Sequence, residues 1–122
     1  MPRVDGTGFG YIVVDGERYD EDIVVTDKVF RRRKELSSEL RKEYGHTPLT
    51  GEELLHYFSQ DPPEVVVVGT GQSGMLPLVG VEGACELLGA ELICERTREA
   101  VETFNKLSSE GRKVGAVFHV TC

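Results

Sequence analysis

The chain contains no apolar run approaching the roughly 20 residues that a membrane-spanning helix requires, so insertion into a bilayer is not expected. Positive charge is also in short supply. Fourteen lysines and arginines stand against 21 aspartates and glutamates, for a formal net charge of −7. Neutralising phosphates takes a basic surface, so the charge argues against a general nucleic-acid binder. Cysteine is sparse: Cys85, Cys94 and Cys122 form no C-x-x-C pair, and an odd count fits neither a disulfide framework nor a zinc ribbon. Cys85 and Cys94 lie in apolar patterns and are expected to pack as small hydrophobes, with reduced thiols in a cytosolic setting. Met1-Pro2-Arg3-Val4-Asp5-Gly6 has no apolar signal core and is acidic too early for a transit peptide, which makes a cytoplasmic protein the expectation. No Ser-His-Asp arrangement or H-x-H cluster appears, and no Walker loop, because no G-K-[ST] follows the glycines. Neither a metal nor a cofactor is therefore expected.

What is present reads as one compact α/β domain over residues 1–122, with 39% hydrophobic and 29% charged residues. Phe9 to Val14 is strand-like, Asp15-Gly16 is a two-residue hairpin turn, and Glu17-Arg18-Tyr19 begins the return. Ile23-Val24-Val25 and Val29-Phe30 add short strands around the polar Thr26-Asp27-Lys28. Leu36, Leu40 and Tyr44 recur every four residues as on one helical face, until Gly45-His46-Thr47-Pro48 breaks the pattern; a helix or an ordered loop is compatible with residues 34–49. Thr50-Gly51-Glu52-Glu53 has the form of a capping box, leading into a helix with Leu54, Leu55 and Phe58 inward that ends at Pro62-Pro63. Glu64 to Gly69 is a continuous apolar strand of the kind covered on both faces. Leu78, Val81, Cys85 and Leu88 mark a helix stopping near Gly89, with Pro77 at its first position. Leu92-Ile93-Cys94 is a strand. Thr97 caps a third helix with Ala100, Val101, Phe104 and Leu107 inward and Gly111 at its close, and Val114 to Val120 is an interior strand. The second half is thus β-α-β-α-β, which right-handed crossovers turn into a parallel sheet with helices on its faces.

The residues with the most chemical content are Gly69, Thr70, Gly71, Gln72, Ser73 and Gly74, a G-x-G-x-x-G loop directly after the valine strand. Glu95 falls near the end of the next strand, where a ribose-binding acid belongs. Against a dinucleotide site stand the short chain, the position of the motif in its second half, and a late helix start at Pro77, since phosphate binding uses first-turn amides. The loop remains a candidate for a smaller anion held by the Thr70–Ser73 amides. Alternatively, its glycines only make a tight strand-to-helix turn, with Gly71 at positive φ. Arg31-Arg32-Arg33-Lys34 reads as a solvated strand end or as a landing point for an anion. His119 and Cys122 are three apart, which on a strand points them to opposite faces and disfavours a Cys–His pair. Glu52, Glu53, Asp61 and Glu64 read as helix and loop surface, and His46 and His56 match no ligand set.

Five segments together resemble a widespread domain-of-unknown-function family typified by an uncharacterised methanogen protein. They are Phe9-Gly10-Tyr11-Ile12-Val13-Val14-Asp15-Gly16, Tyr44-Gly45-His46-Thr47-Pro48-Leu49, Val68-Gly69-Thr70-Gly71-Gln72-Ser73-Gly74-Met75-Leu76, Thr97-Arg98-Glu99-Ala100 with Phe104-Asn105, and Val117-Phe118-His119-Val120-Thr121-Cys122. The family also includes a mitochondrial complex I assembly factor and an adipogenesis-associated cytoplasmic protein. The resemblance implies a three-layer (β+α)/β/α domain whose central mixed, mostly parallel sheet of about five strands is partly covered by a small β layer. It implies no catalytic residue or cofactor, and action through protein partners. The expectation is a non-catalytic protein-interaction or assembly module, monomeric or homodimeric. The competing expectation is a small-anion or nucleotide-binding enzyme built on Gly69–Gly74, with Arg31–Lys34 or Arg96 and Arg98 as charge partners.

Overall fold

A computed structural model of the protein describes residues 2–40 and 47–122. The chain opens with three antiparallel strands, β1 (Val4–Gly8), β2 (Tyr11–Val14) and β3 (Glu17–Tyr19). Asp15 at φ 49° and Gly16 at φ 80° form the tight turn between β2 and β3, the left-handed pair that matches the twist of a hairpin. The strand expected from Phe9 begins at Tyr11, because Phe9 and Gly10 make the turn from β1, a strand that sequence patterning missed.

The central sheet has five strands in the order β5-β4-β10-β7-β9. These are β4 (Ile23–Val25), β5 (Val29–Arg31), β7 (Val65–Thr70), β9 (Glu91–Glu95) and β10 (Val114–His119). β10 and β9 pair with β7 in parallel, while β4 runs antiparallel to both β10 and β5. Four strands therefore share a direction and only β4 opposes them. β7 and β10 are buried along their whole length, which is why both read as unbroken apolar runs rather than alternating ones.

Among the described residues three α-helices complete the layers: α1 (Gly51–Phe58), α2 (Val81–Leu88) and α3 (Thr97–Ser109). Alternation along β7 sorts the core. Val65 and Val67 face α3 and the small sheet, packing with Ala100, Phe104, Ile12 and Val14. Val66 and Val68 face α1 and α2, packing with Leu54, Phe58, Val81 and Cys85. Each fully buried side chain of this size contributes about 1.5–3 kcal/mol. Pro77 does not begin a helix. It precedes the two-residue strand β8 (Leu78–Val79), which pairs with β6 (Leu49–Thr50), and its carbonyl accepts the Leu49 N–H at 2.9 Å. Left-handed Gly80 then starts α2 at Val81, so Leu78 lies outside the helix. Residues 34–36 and 38–40 are short 3-10 turns rather than an amphipathic helix. Tyr44 and the break at Gly45-His46 lie outside the described residues.

Phe58 packs against β10 at Gly115, where a Cβ would sit 2.5 Å from its ring. Gly115→Ala is therefore expected to cost about 1–3 kcal/mol in urea unfolding, and Phe58→Leu in the same chain to recover part of it as a measurable coupling.

Candidate functional site

The glycine loop follows β7 and is closed from within. Gly71, at φ +105°, donates its N–H to Thr97 Oγ1 at 2.8 Å. Gln72 N–H donates to Thr121 O at 2.7 Å, and Ser73 and Met75 N–H donate to Cys122 O at 3.1 and 2.9 Å. Gly74 N–H turns back to Gly71 O at 3.2 Å. The amides that a phosphate would need thus hold residues 121–122 of the chain's own backbone. A Cβ on Gly71 would collide with the Cys122 backbone and lie 2.9 Å from the His119 ring. Thr97 is not the cap expected of it: Arg96 occupies the cap position and Thr97 is the first helical residue. Its buried hydroxyl accepts from Gly71 and donates to His119 O at 2.5 Å, joining loop, helix and last strand.

A buried polar network lies on the other side of His119. Arg32 is 1% exposed and forms a two-pronged ion pair with the fully buried Glu53, Nε to Oε2 at 2.7 Å and Nη2 to Oε1 at 3.0 Å. Two further donors reach Asp22 Oδ2 at 3.2 Å and Pro48 O at 2.8 Å. Glu53 also accepts from Ser37 Oγ at 2.7 Å and Tyr57 Oη at 2.6 Å. Half of the expected capping box forms, with Glu53 N–H donating to Thr50 Oγ1 at 3.2 Å. The reciprocal half is replaced, because the Glu53 carboxylate turns inward to Arg32. Burial draws the Arg32 guanidinium down, but Glu53 and Asp22 outweigh it and hold the group above its ordinary value. Burial and the Glu53 carboxylate push the Tyr57 phenol well up, so it serves as a donor.

Two readings of the sequence are corrected here. Glu53 is core rather than surface, whereas Glu52, Asp61 and Glu64 are exposed. In the basic cluster Arg31, Arg33 and Lys34 are solvated as expected of a strand end, and only Arg32 departs from that reading by being buried. Arg31 lies 4.0 Å from Glu21, Arg32 2.7 Å from Glu53, Arg33 3.4 Å from Glu35 and Lys34 3.7 Å from Asp22. Glu53 falls in the same i, i+3, i+4 row as Thr50 and Tyr57, and that spacing was the available signal for its burial. Nothing in the residue types marked Arg32.

Asp22, buried between Arg32 and Lys34, also accepts from His119 Nδ1 at 2.7 Å and from Val120 N–H at 2.9 Å. Burial raises its carboxyl, but His119, Val120 and Lys34 together lower it further, to about 2. An ionised carboxylate only accepts, so it places the His119 proton on Nδ1 and leaves Nε2 for the Thr121 hydroxyl at 3.2 Å. Asp22, His119 and Thr121 therefore stand in the order of a hydrolytic triad, which no sequence spacing indicated. Two features of such a site are missing at Thr121: the neighbouring loop amides are spent on residues 121–122, and Thr121 lines neither cavity described below. What the relay does is fasten the end of β10. Thr121, not Cys122, is the hydroxyl or thiol partner of His119. Cys85 is buried, with burial pushing its thiol up to about 11, whereas Cys94 is exposed instead of packing inward.

Residues 4–119 match a family described as a protein of unknown function (DUF498/DUF598). The chain belongs to this family. The resemblance carried by the five sequence segments is thereby met. A solved structure named MT938 superposes with a TM-score of 0.81 at 31% identity, covering 100% of both chains. A conserved hypothetical protein from Pyrococcus horikoshii gives a TM-score of 0.81 at 32% identity, over 98% of this chain and 99% of that one. A Bordetella pertussis protein described as a Mth938-like domain shares the fold at 23% identity and a TM-score of 0.59, over 98% of this chain and 85% of that one. No curated protein matches the chain.

This DUF498/DUF598 member carries an open groove of about 600 Å³ between α1 and α2. Leu36, Leu40, Leu55, Val79 and Leu87 line it, with Gly80 and Gly83 along one wall. Leu87 is 79% exposed. A smaller cavity of about 240 Å³ lies under Tyr57 and Phe58, bordered by Asp27, Asp61 and Lys113. No helix is long and apolar enough to cross a membrane, and no group of three or more His, Cys, Asp or Glu suited to a metal occurs among the described residues.

The Asp22 carboxyl sits at about 2 against an ordinary 3.8, so its stabilisation is complete above the higher value and is lost as pH falls through the lower. Between those limits Asp22 is expected to account for a loss of about 2 kcal/mol, which Asp22→Asn abolishes in acid unfolding monitored by circular dichroism. Gly71→Ala, which combines a positive φ with a collision, is expected to lower stability by about 2–5 kcal/mol in thermal or urea unfolding.

Proposed function

We propose that this small protein acts in the cytoplasm as a non-catalytic interaction module, and that the groove between α1 and α2 receives an apolar segment of a protein partner. The observation that carries this reading is the groove itself. Its walls leave Leu87 exposed and Leu36, Leu40 and Leu55 half-buried, and its volume lies in the range of built binding sites. Gly83 supports it further, because among the described residues a Cβ there would meet nothing within 4 Å, at a helix position where alanine would be the more stable residue. A bulky side chain at Gly83 fills the groove without disturbing the core.

The competing reading places a small anion or nucleotide on Gly69–Gly74, with Arg96 as its charge partner and Glu95 at a ribose. Arg96 does run beside Gly74, its Cγ 3.4 Å from where a Cβ would stand. That reading requires residues 121–122 to release the amides of Gln72, Ser73 and Met75 first.

Crosslinking and immunoprecipitation from native extract, run beside thermal-shift measurements, separates the two. The interaction reading expects a stoichiometric partner whose recovery falls at least about tenfold with Gly83→Phe and with Leu87→Glu, at unchanged melting temperature. A partner retained by both variants, or none at all, overturns it. A melting shift with millimolar phosphate, nucleotides or sugar phosphates, abolished by Gly71→Ala, would favour the anion reading instead.

A further inference from the structure

β9 forms one edge of the central sheet. Among the described residues it pairs only with β7, in the parallel register Val65↔Glu91 through Gly69↔Glu95. Glu91 N–H donates to Glu64 O at 2.9 Å, which assigns Glu91, Ile93 and Glu95 to the β7 side of the ladder. Successive strand residues alternate the side to which N–H and C=O point, so the backbone groups of Leu92 and Cys94 face outward. Leu92 and Ile93 are half-buried, Leu92 against the α1 and α2 layer and Ile93 against the α3 layer, and Cys94 is exposed. This is an open template for another strand.

The charges on the edge decide what can use it. The densest antiparallel pairing between two copies sets Leu92 opposite Cys94 of the second copy and centres on Ile93. Glu91 then faces Glu95 of the second copy, and the same clash repeats at the other end, whereas Arg96 faces only Ala90. Like charges directly opposite one another destabilise a strand pair, so the glutamates act against self-association. The same two positions favour a foreign strand of opposite sign.

We propose that the free edge of β9 receives an extended segment of a partner protein that carries Lys or Arg at two positions four residues apart, opposite Glu91 and Glu95. This extends the interaction reading to a second face and does not depend on the groove. Strand addition supplies main-chain hydrogen bonds at Leu92 and Cys94, and the paired glutamates supply selectivity.

The test is amide hydrogen exchange by NMR with end-blocked peptides containing Lys-Val-Thr-Val-Lys or Glu-Val-Thr-Val-Glu. The basic peptide is expected to slow exchange at Leu92 and Cys94 by about tenfold or more at saturation and the acidic one to leave it unchanged, with the effect weakening in 1 M salt. Glu91→Lys turns both self-pairing clashes into attractions, so this variant is expected to dimerise in sedimentation where the unaltered chain does not. Gly83→Phe should leave the peptide effect intact, which separates failure of the groove from failure of the edge. Equal protection by both peptides, or by neither, overturns the proposal. So does concentration-dependent protection of Leu92 and Cys94 in the unaltered chain alone, which would make a second copy the occupant.

Discussion

The buried charge of Arg32 is the constraint around which this domain is arranged. A guanidinium removed from water is tolerated only when its donors are matched, and here they meet Glu53, Asp22 and the Pro48 carbonyl. Those partners come from the first turn of α1, the entry to β4 and the approach to β6. Asp22 then passes the constraint to His119 and Val120 at the end of β10. Residues 22, 32, 48 to 53 and 119 to 120 are thus tied into one network through Arg32 and Asp22. Removing Glu53 takes away the carboxylate that meets Arg32 through two hydrogen bonds, so the network ties the helical layer to the sheet in one arrangement.

The end of β10 is held from both sides. Asp22 grips it through His119, and the glycine loop grips the following residues through three backbone amides. Thr97 bridges the two sides from the start of α3. The position that resembles a phosphate cradle is thereby a structural joint, and its glycines serve the close approach of the Cys122 backbone to Gly71. Among the described residues, the groove between α1 and α2 and the outer edge of β9 carry no strand or helix over them.

Much of the architecture was legible because the period of the apolar residues reports burial directly. The unbroken valines of β7 and the apolar run of β10 identified strands covered on both faces. Asp15-Gly16 located its hairpin turn, and Ala100, Val101 and Phe104 located the inward face of α3. Errors clustered where a residue's neighbour is distant in the chain. Pro77 looked like a helix start, yet its carbonyl belongs to a strand pair with Leu49. Arg32 and Glu53 looked solvated because charge normally is, and only their mutual approach across 21 residues makes their burial tolerable. The candidate site was legible as a motif but not as an environment: the G-x-G-x-x-G pattern located the loop, while nothing in it announced that residues 121–122 take up its amides.

From the sequence alone came the family, the α/β class, the alternation of strands and helices in the second half, and the lack of a recognisable catalytic motif. These depend on local periodicity and on residue types at short spacing, which a linear reading contains in full. Tertiary structure alone decided the burial of Arg32 against Glu53, the alignment of Asp22, His119 and Thr121, the closure of the glycine loop, and the exposure of the groove and the β9 edge. Each of these depends on which distant groups meet, and the energy of a buried charge or an amide is set by that meeting rather than by the residue that carries it.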